Sequence, residues 1–349
     1  NIFCSLLFFW TSEELLWFCV MESKRVIIFG ATGATGTSLA QRLSAEHPDW
    51  HILAVTRSTS SKSRLSEFNL SNVEIIQGDP FDSESVLKIT ANCDIIYCCI
   101  GFHNYETKYW SKYWPIVINN LLLATTKQSN TKLVFCDNLY AYGEGPIKPN
   151  GKRVSASFES KPAVRAFLHE VFQKHMKEYP GTLSVVGAAD FFGPGVTDLA
   201  FLGDSMTGRI VSGSSPIVVA ASDKIHDFCF IPDLSKAMEI VSLSEIGYDR
   251  FWICPHSVHD KTMQEIANDI ARLAGKQSKS CFVLGPKLIA FLGYFIGFMG
   301  EVKEMLHIWT KDYQVDDTEF QEVFNVSPTP YEDALKAYVE FYQTKSNEN

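Results

Sequence analysis

Apolar, β-branched runs recur along the chain, and each gives way to residues whose apolar positions repeat at helical spacing. The runs lie at 26–29, 51–57 (HILAVTR), 73–79 (VEIIQGD), 93–101 (CDIIYCCIG), 132–138 (KLVFCDN), 183–190 (LSVVGAAD) and 250–255 (RFWICP). They are nearly continuous in apolar character rather than alternating, as expected of strands covered on both faces. Strand alternating with helix predicts an α/β fold of the Rossmann type, a doubly wound parallel sheet with right-handed crossovers. Leu39, Ala40 and Leu43 form the apolar stripe of a first helix, which Pro48 bounds. Thr262 and Glu265 have the spacing of a capping box, and Gly275 would end the helix they open. No internal repeat or low-complexity tract interrupts the pattern, and the tail TKSNEN reads as frayed.

Two apolar stretches do not fit it. LIAFLGYFIGFM (288–299) carries no charge and is too short to span a bilayer. It predicts a buried core helix, with contact to a membrane or a greasy substrate as the alternative. Residues 1–20 are apolar but hold Glu13 and Glu14 and lack a basic flank. Crossing a membrane would bury two carboxylates at ~3 kcal/mol each. We read 1–20 as a non-native or disordered leader, with a membrane-associating segment as the minor alternative, and Met21 as a natural start. No transmembrane segment is expected.

The chain has 349 residues, is 46% hydrophobic and 20% charged, and has a formal charge of −9. This is a globular balance without the basic stripe that nucleic acid requires. Nine cysteines, mostly inside apolar runs, suit buried thiols in a reducing, cytoplasmic setting.

The first run enters a turn with glycines at 30, 33 and 36 (VIIFGATGATG). Gly30 allows the turn, Gly33 lets backbone approach a pyrophosphate, and Gly36 lets helix pack on strand. Free N–H groups at the helix start, among Thr32, Ala34 and Thr35, then meet the negative charge. Arg57 closes the second run where an acidic residue would select a 2′-hydroxyl, and Ser58, Lys62 and Arg64 follow it. A guanidinium there can bind a 2′-phosphate in bidentate fashion, which favours NADP and leaves NAD as the second choice. Asp79 and Pro80 after the third run are candidates for the adenine end, Asp79 being equally suited to cap a helix. Cys99 and Gly101, at the end of the fourth run, complete the cofactor-side candidates.

With these residues in place the chain resembles the short-chain dehydrogenase/reductase superfamily, in its extended, epimerase/dehydratase-like branch. G-x-x-G-x-x-G at 30–36 is that branch's spacing, and GDPFD resembles its third-strand motif. VFCDNLYAYG (134–143) is similar to its Val-Phe-x-Ser-Ser-x-x-x-Tyr-Gly segment. ADFFGPG (189–195), DFCFIPDLSKAM (227–238) and TPYEDALKAYVEFY (329–342) resemble its later segments. The resemblance implies strand order 3-2-1-4-5-6-7. It also implies a dinucleotide domain of 21–190 plus 223–256 and an interleaved substrate domain of 191–222 plus 257–349.

The resemblance further implies a Tyr-x-x-x-Lys pair, in which Tyr moves the substrate proton and Lys lowers its pKa and grips the nicotinamide ribose. Here Lys161 stands where Tyr belongs, Arg165 where Lys belongs, and Asn138 where the orienting serine belongs. Arg165 cannot release a proton. Lys161 remains a candidate cation toward cofactor or substrate, and an acid only if desolvation lowers its pKa. Asn138 can still polarise a carbonyl, and Tyr140 or Tyr142 could supply a phenol. Asp137 suits a ligand or a turn equally.

Tyr109 with Tyr113 and Trp110 with Trp114 are pairs on one helical face, packed on the sheet or forming a wall over the nicotinamide. His103 is a weaker candidate beside them. Cys254, His256, His259 and Asp260 do not have the paired spacing of a zinc site. Three functions follow. The leading one is an NADP-dependent oxidoreductase for a small carbonyl or enone. The alternatives are a non-catalytic dinucleotide sensor or scaffold and a sugar-nucleotide epimerase or dehydratase. The partner is a small molecule, and a homodimer is allowed.

Overall fold

The computed structural model describes residues 23–57, 65, 67–128, 130–198, 200–295 and 297–348. The reading of 1–20 lies outside them, as do Ser58, Lys62 and Arg64. Each sequence run forms a strand: β1 (Arg25–Phe29), β2 (His51–Thr56), β3 (Val73–Gln77), β4 (Ile95–Cys98), β5 (Lys132–Asn138) and β6 (Leu183–Ala188). Three short strands follow, β7 (Asp190–Phe192), β8 (Ile217–Val219) and β9 (Phe228–Phe230), before β10 (Phe251–Ile253) and β11 (Phe282–Leu284). The main sheet has seven strands in the order β10-β6-β5-β4-β1-β2-β3, all pairings parallel. This is the expected order, with β10 as the seventh strand. The pairs β7–β9 and β8–β11 stand apart from it.

Alternate side chains along each strand serve opposite faces. Val26, Ile28, Ile52, Ala54 and Tyr97 pack on α1 (Ala34–Glu46) and on the later helix 231–243. Ile27, Phe29, Leu53, Val55 and Phe135 pack on α2 (Ser83–Ile89), α3 (Thr107–Lys127) and α4 (Lys161–Glu178). Each fully buried aliphatic side chain contributes roughly 1.5–3 kcal/mol. Asp82 caps α2 by accepting from the Glu84 and Ser85 N–H groups.

Among the described residues, the further α-helices of four residues or more are α5 (Ile231–Leu243), α6 (Met263–Leu273), α7 (Pro286–Leu292), α8 (Gly297–Lys303), α9 (Leu306–Trp309), α10 (Thr318–Phe324) and α11 (Tyr331–Glu348). The capping box of Thr262 and Glu265 opens α6, and Gly275 follows its end at φ +65°. A second core joins α6 and α11 to β7, β8 and β9. A third joins Leu139, Tyr142 and Ile147 to Ile289, Val302, Met305 and Trp309.

The expectation of a core helix at 288–299 is corrected. The stretch forms two short helices, α7 and α8, doubled back on each other, and Phe291, Tyr294 and Phe295 are exposed. Glycine explains the bend: a Cβ at Gly293 would lie 3.2 Å from Gly300 Cα, so the helices meet through bare backbone. Apolarity is insensitive to whether a neighbour exists to cover it. No helix among the described residues is long and apolar enough to cross a membrane.

Candidate functional site

The parallel register brings the carboxyl ends of β1, β2, β3 and β4 to one edge, since Phe29 aligns with Val55 and Cys98, and Thr56 with Gln77. Gly30 turns the chain there at φ +78°, a conformation glycine adopts freely. A Cβ on it would sit 2.5 Å from Cys99 O. A Cβ on Gly36 would sit 2.3 Å from Gly30 O, so both glycines are required by packing. Gly33 differs. Its backbone is extended (φ −77°, ψ 166°), and a Cβ there would meet only Gly30 O at 3.5 Å. Neither conformation nor the protein's own packing demands glycine at 33.

Gly33 is the N-cap of α1, without a side-chain cap and with no acidic residue in the first turn. The first helical bond runs from Thr37 N–H to Gly33 O, so Ala34, Thr35 and Gly36 open the helix with N–H groups that have no helical acceptor. That end borders a cavity of ≈ 230 Å³. Its walls are Gly30, Thr32 and Gly33 after β1, Arg57 after β2, Gly78, Pro80 and Phe81 after β3, and Cys99, Gly101 and Phe102 after β4.

Seven of the residues predicted from sequence therefore face one cavity. Asp79 is turned into its own loop, where its Oδ1 accepts the Phe81 N–H at 2.9 Å. Ser58 lies outside the described residues. Phe81 and Phe102 were not legible. Phe81 lies under the Arg57 guanidinium, 5.7 Å from ring centre to Cζ.

The ends of β5 and α4 build the neighbouring region. Asn138 Oδ1 accepts the Tyr140 N–H at 3.2 Å. The Tyr140 hydroxyl lies 3.5 Å from that of Tyr105, and burial pushes both phenols above their ordinary pKa. Both line a second cleft of ≈ 380 Å³. Phe201, Val218, Val302 and Trp309 give it an apolar wall, and Asp190, Asp198 and Asp204 its charge, with no Lys or Arg among the lining residues. His226 Nε2 lies 2.7 Å from Asp190. His103 is exposed, 4.0 Å from Asp198.

The two cations in the Tyr-x-x-x-Lys positions are both engaged. Lys161 is fully buried, with Nζ donating to Glu301 Oε2 at 2.7 Å, to Glu304 and to Thr107 Oγ1 at 3.3 Å. It lies over the Tyr105 ring at 4.5 Å. Burial opposes the charge on Glu301, but the bonds from Lys161 and Thr107 together outweigh it and hold that carboxyl below its ordinary range. Arg165 donates to Asp137 Oδ1 at 2.8 Å and stacks on Trp114 at 4.0 Å and Trp110 at 5.0 Å. His169 Nε2 binds Asp137 Oδ2 at 2.6 Å, while Arg153 Nε donates to its Nδ1 at 3.2 Å. An imidazole that accepts at Nδ1 carries its proton on Nε2, and burial pushes its pKa down. Trp110 and Trp114 thus pack around Arg165.

The stretch CPHSVHD has no metal-like arrangement; no group of three or more ligands that could hold a metal ion occurs among the described residues. Cys254 faces Cys229, and His256 Nε2 accepts the Ala189 N–H at 3.0 Å. His259 lies between Asp227 at 3.0 Å and Asp317 at 3.3 Å, bonds that raise its pKa to about 10.

Known proteins agree with this geometry. A family model described as the NmrA-like family matches residues 22–112, which hold the glycine turn and the first four strands. Among solved structures, dTDP-glucose 4,6-dehydratase from Bacillus anthracis str. Ames, in complex with NAD, is similar at TM-score 0.76 and 15% identity, covering 93% of this chain and 98% of that one. UDP-glucuronic acid 4-epimerase from Bacillus cereus, also with NAD, gives 0.71 and 15%, covering 92% and 99%. UDP-glucose 4-epimerase from Thermotoga maritima, with UDP-glucose, gives 0.73 and 16%, covering 92% and 99%. Residues 22–112 are thus similar to the NmrA-like family, and the chain as a whole has the fold of these dehydratases and epimerases, with Lys161 and Arg165 at the positions where the sequence resemblance implies a Tyr-x-x-x-Lys pair.

Proposed function

We propose that the chain binds a nicotinamide dinucleotide at the β1–α1 turn and acts as an oxidoreductase on a small molecule held in the neighbouring cleft. The observation that carries this is Gly33: a glycine with ordinary backbone angles, whose missing Cβ leaves space beside a cavity and a run of unbonded N–H groups. Space kept open beside such donors suits a pyrophosphate. Arg57 on the same cavity favours NADP over NAD, although the solved neighbours carry NAD.

A bound nicotinamide would supply or accept the hydride. Asn138 and the Tyr105–Tyr140 pair then serve the substrate as hydrogen-bond donors. Neutral phenols with raised pKa values are suited to stabilising a developing oxyanion rather than to deprotonating. Lys161 and Arg165, held by carboxylates, are not free to supply the proton. The cleft draws on residues 197–219 and 302–309 together with Tyr105 and Tyr140, which supports an interleaved substrate domain.

Two substrate readings stand. The solved neighbours favour a sugar-nucleotide epimerase or dehydratase over the small-carbonyl reading. The lining of the cleft, acidic and without a cation, favours an uncharged carbonyl compound over a diphosphate. Calorimetric titration of the full chain with NADPH and NADH tests the first step, with tighter NADPH binding expected. Turnover is then assayed with nucleoside-diphosphate sugars and with aldehydes, ketones and enones, on wild type and Tyr140→Phe. Cofactor binding without turnover on either panel would support the sensor or scaffold alternative instead. No heat with either nucleotide would overturn the proposal.

A further inference from the structure

We propose that the α7–α8 hairpin is a foot that seats the protein on a bilayer surface carrying anionic headgroups. Leu288, Phe291, Tyr294 and Phe295 are 41%, 60%, 82% and 75% exposed, and the Phe291 and Phe295 rings touch, with centroids 5.5 Å apart. Residues 288–300 carry no charge. A contiguous patch of this kind on a protein surface marks an interaction site.

Charge identifies the occupant. Lys287 and Lys303 bracket the patch, both exposed and without a carboxylate in ion-pair distance among the described residues. Lys108, also exposed, follows Thr107, whose N–H donates to Glu301 on α8 at 2.9 Å. The carboxylates around α8, Glu301 and Glu304, share Lys161 as their partner, which leaves one negative charge that the exposed Lys287, Lys303 and Lys108 outnumber. Glu106, at the cap of α3, and Glu159, two residues before Lys161, are exposed carboxylates on the elements that hold α8. Aromatic side chains with lysines at their margin match the headgroup boundary of a membrane, where rings enter and ammonium groups reach anionic lipid.

Area argues against a second copy. With aromatic side chains of about 150–250 Å² each, the four exposures add to roughly 500 Å², below the ~800 Å² per partner of a stable interface. A bilayer needs no matched shape.

The mounting is rigid. Lys161 ties Glu301 and Glu304 to the start of α4, and Gly293 against Gly300 closes the hairpin. Val302 on the same helix lines the apolar cleft, so the foot adjoins the cleft wall. The inference stands independently of dinucleotide binding.

Vesicle flotation of the full chain is the test, with phosphatidylcholine alone and with phosphatidylserine added, at low and high salt. The chain should float with the serine-lipid vesicles and more weakly without them, and salt should reduce the difference. F291S/Y294S/F295S should lower the partition at least tenfold with an unchanged melting temperature, because these side chains are exposed. K287E/K303E should abolish the preference for anionic lipid. Failure to float on either vesicle, equal partition to both, or a triple variant that floats like wild type would each overturn the proposal. If a dimer is lost in the triple variant while wild type fails to float, the occupant is a second copy.

Discussion

Gly33→Ala separates ligand space from fold. At φ −77°, ψ 166° alanine is unstrained, and its Cβ would stand 3.5 Å from Gly30 O, ordinary van der Waals contact. Losing glycine at an N-cap costs up to about 1 kcal/mol, while the stiffer unfolded chain returns about 0.4–1 kcal/mol. Stability should therefore change by less than about 1 kcal/mol in urea unfolding. Binding should change much more. A methyl group between the phosphates and the helix N–H groups would disrupt two charge-assisted hydrogen bonds, each worth about 1.5–3 kcal/mol. The Kd for NADPH should rise by roughly 10²–10⁴. Gly36→Ala is the contrasting case: its Cβ would lie 2.3 Å from Gly30 O and 2.7 Å from Ala31 Cα, so it should lower the melting temperature whether or not nucleotide is present. A Gly33→Ala protein that binds nucleotide as tightly as wild type would refute the assignment of this space to a pyrophosphate.

Arg57→Ala should weaken NADPH by about tenfold or more and leave NADH unchanged, measured by calorimetry; equal losses would remove the 2′-phosphate role. Lys161→Met leaves two carboxylates facing each other without their cation, and should cost about 3 kcal/mol in urea unfolding, at the lower end for a broken buried pair because Glu301 and Glu304 are partly exposed. His259 bonds Asp227 and Asp317, so its folded pKa near 10 lies above the ordinary 6.5. The stabilisation it gives is complete below pH 6.5 and disappears as pH rises toward 10. Wild type should thus lose melting temperature across that window relative to His259→Gln, and parallel pH profiles would refute the charged pair.

The sheet was legible because strands covered on both faces must be apolar throughout, and the glycine turn because its three glycines stand between a strand and a helix at three-residue spacing. Asn138 and the cations at 161 and 165 were legible by their place in the chain. Their partners were not. Glu301 and Glu304 lie far along the chain from Lys161, and nothing local to α4 announces them. The short strands β7, β8, β9 and β11 have three residues each, too few for a period to show. The stretch 288–299 misled because hydropathy records what a side chain prefers, while burial depends on what folds against it. Its glycines at 293 and 300 were the available signal for a tight hairpin.

The altered pair on α4 changes the electrostatics of the whole region. Here Lys161 meets two carboxylates, and Arg165 meets Asp137 beside an imidazole whose pKa burial lowers. The first cluster is left with an excess of one negative charge, while Arg153 on His169 Nδ1 leaves the second with one positive charge on the side away from Asp137. Asp190 and Asp198 add to the negative field in the cleft, while Asp204 is paired with Lys345 at 3.5 Å. Like charges about 4 Å apart repel by about 4 kcal/mol at an effective dielectric of 20. A diphosphate entering this cleft would pay that cost more than once, whereas an uncharged carbonyl compound would not. The cleft therefore suits an uncharged substrate, and Glu301 and Glu304 are the residues to change: E301Q/E304Q, by leaving Lys161 unopposed, should shift the cleft toward accepting anions.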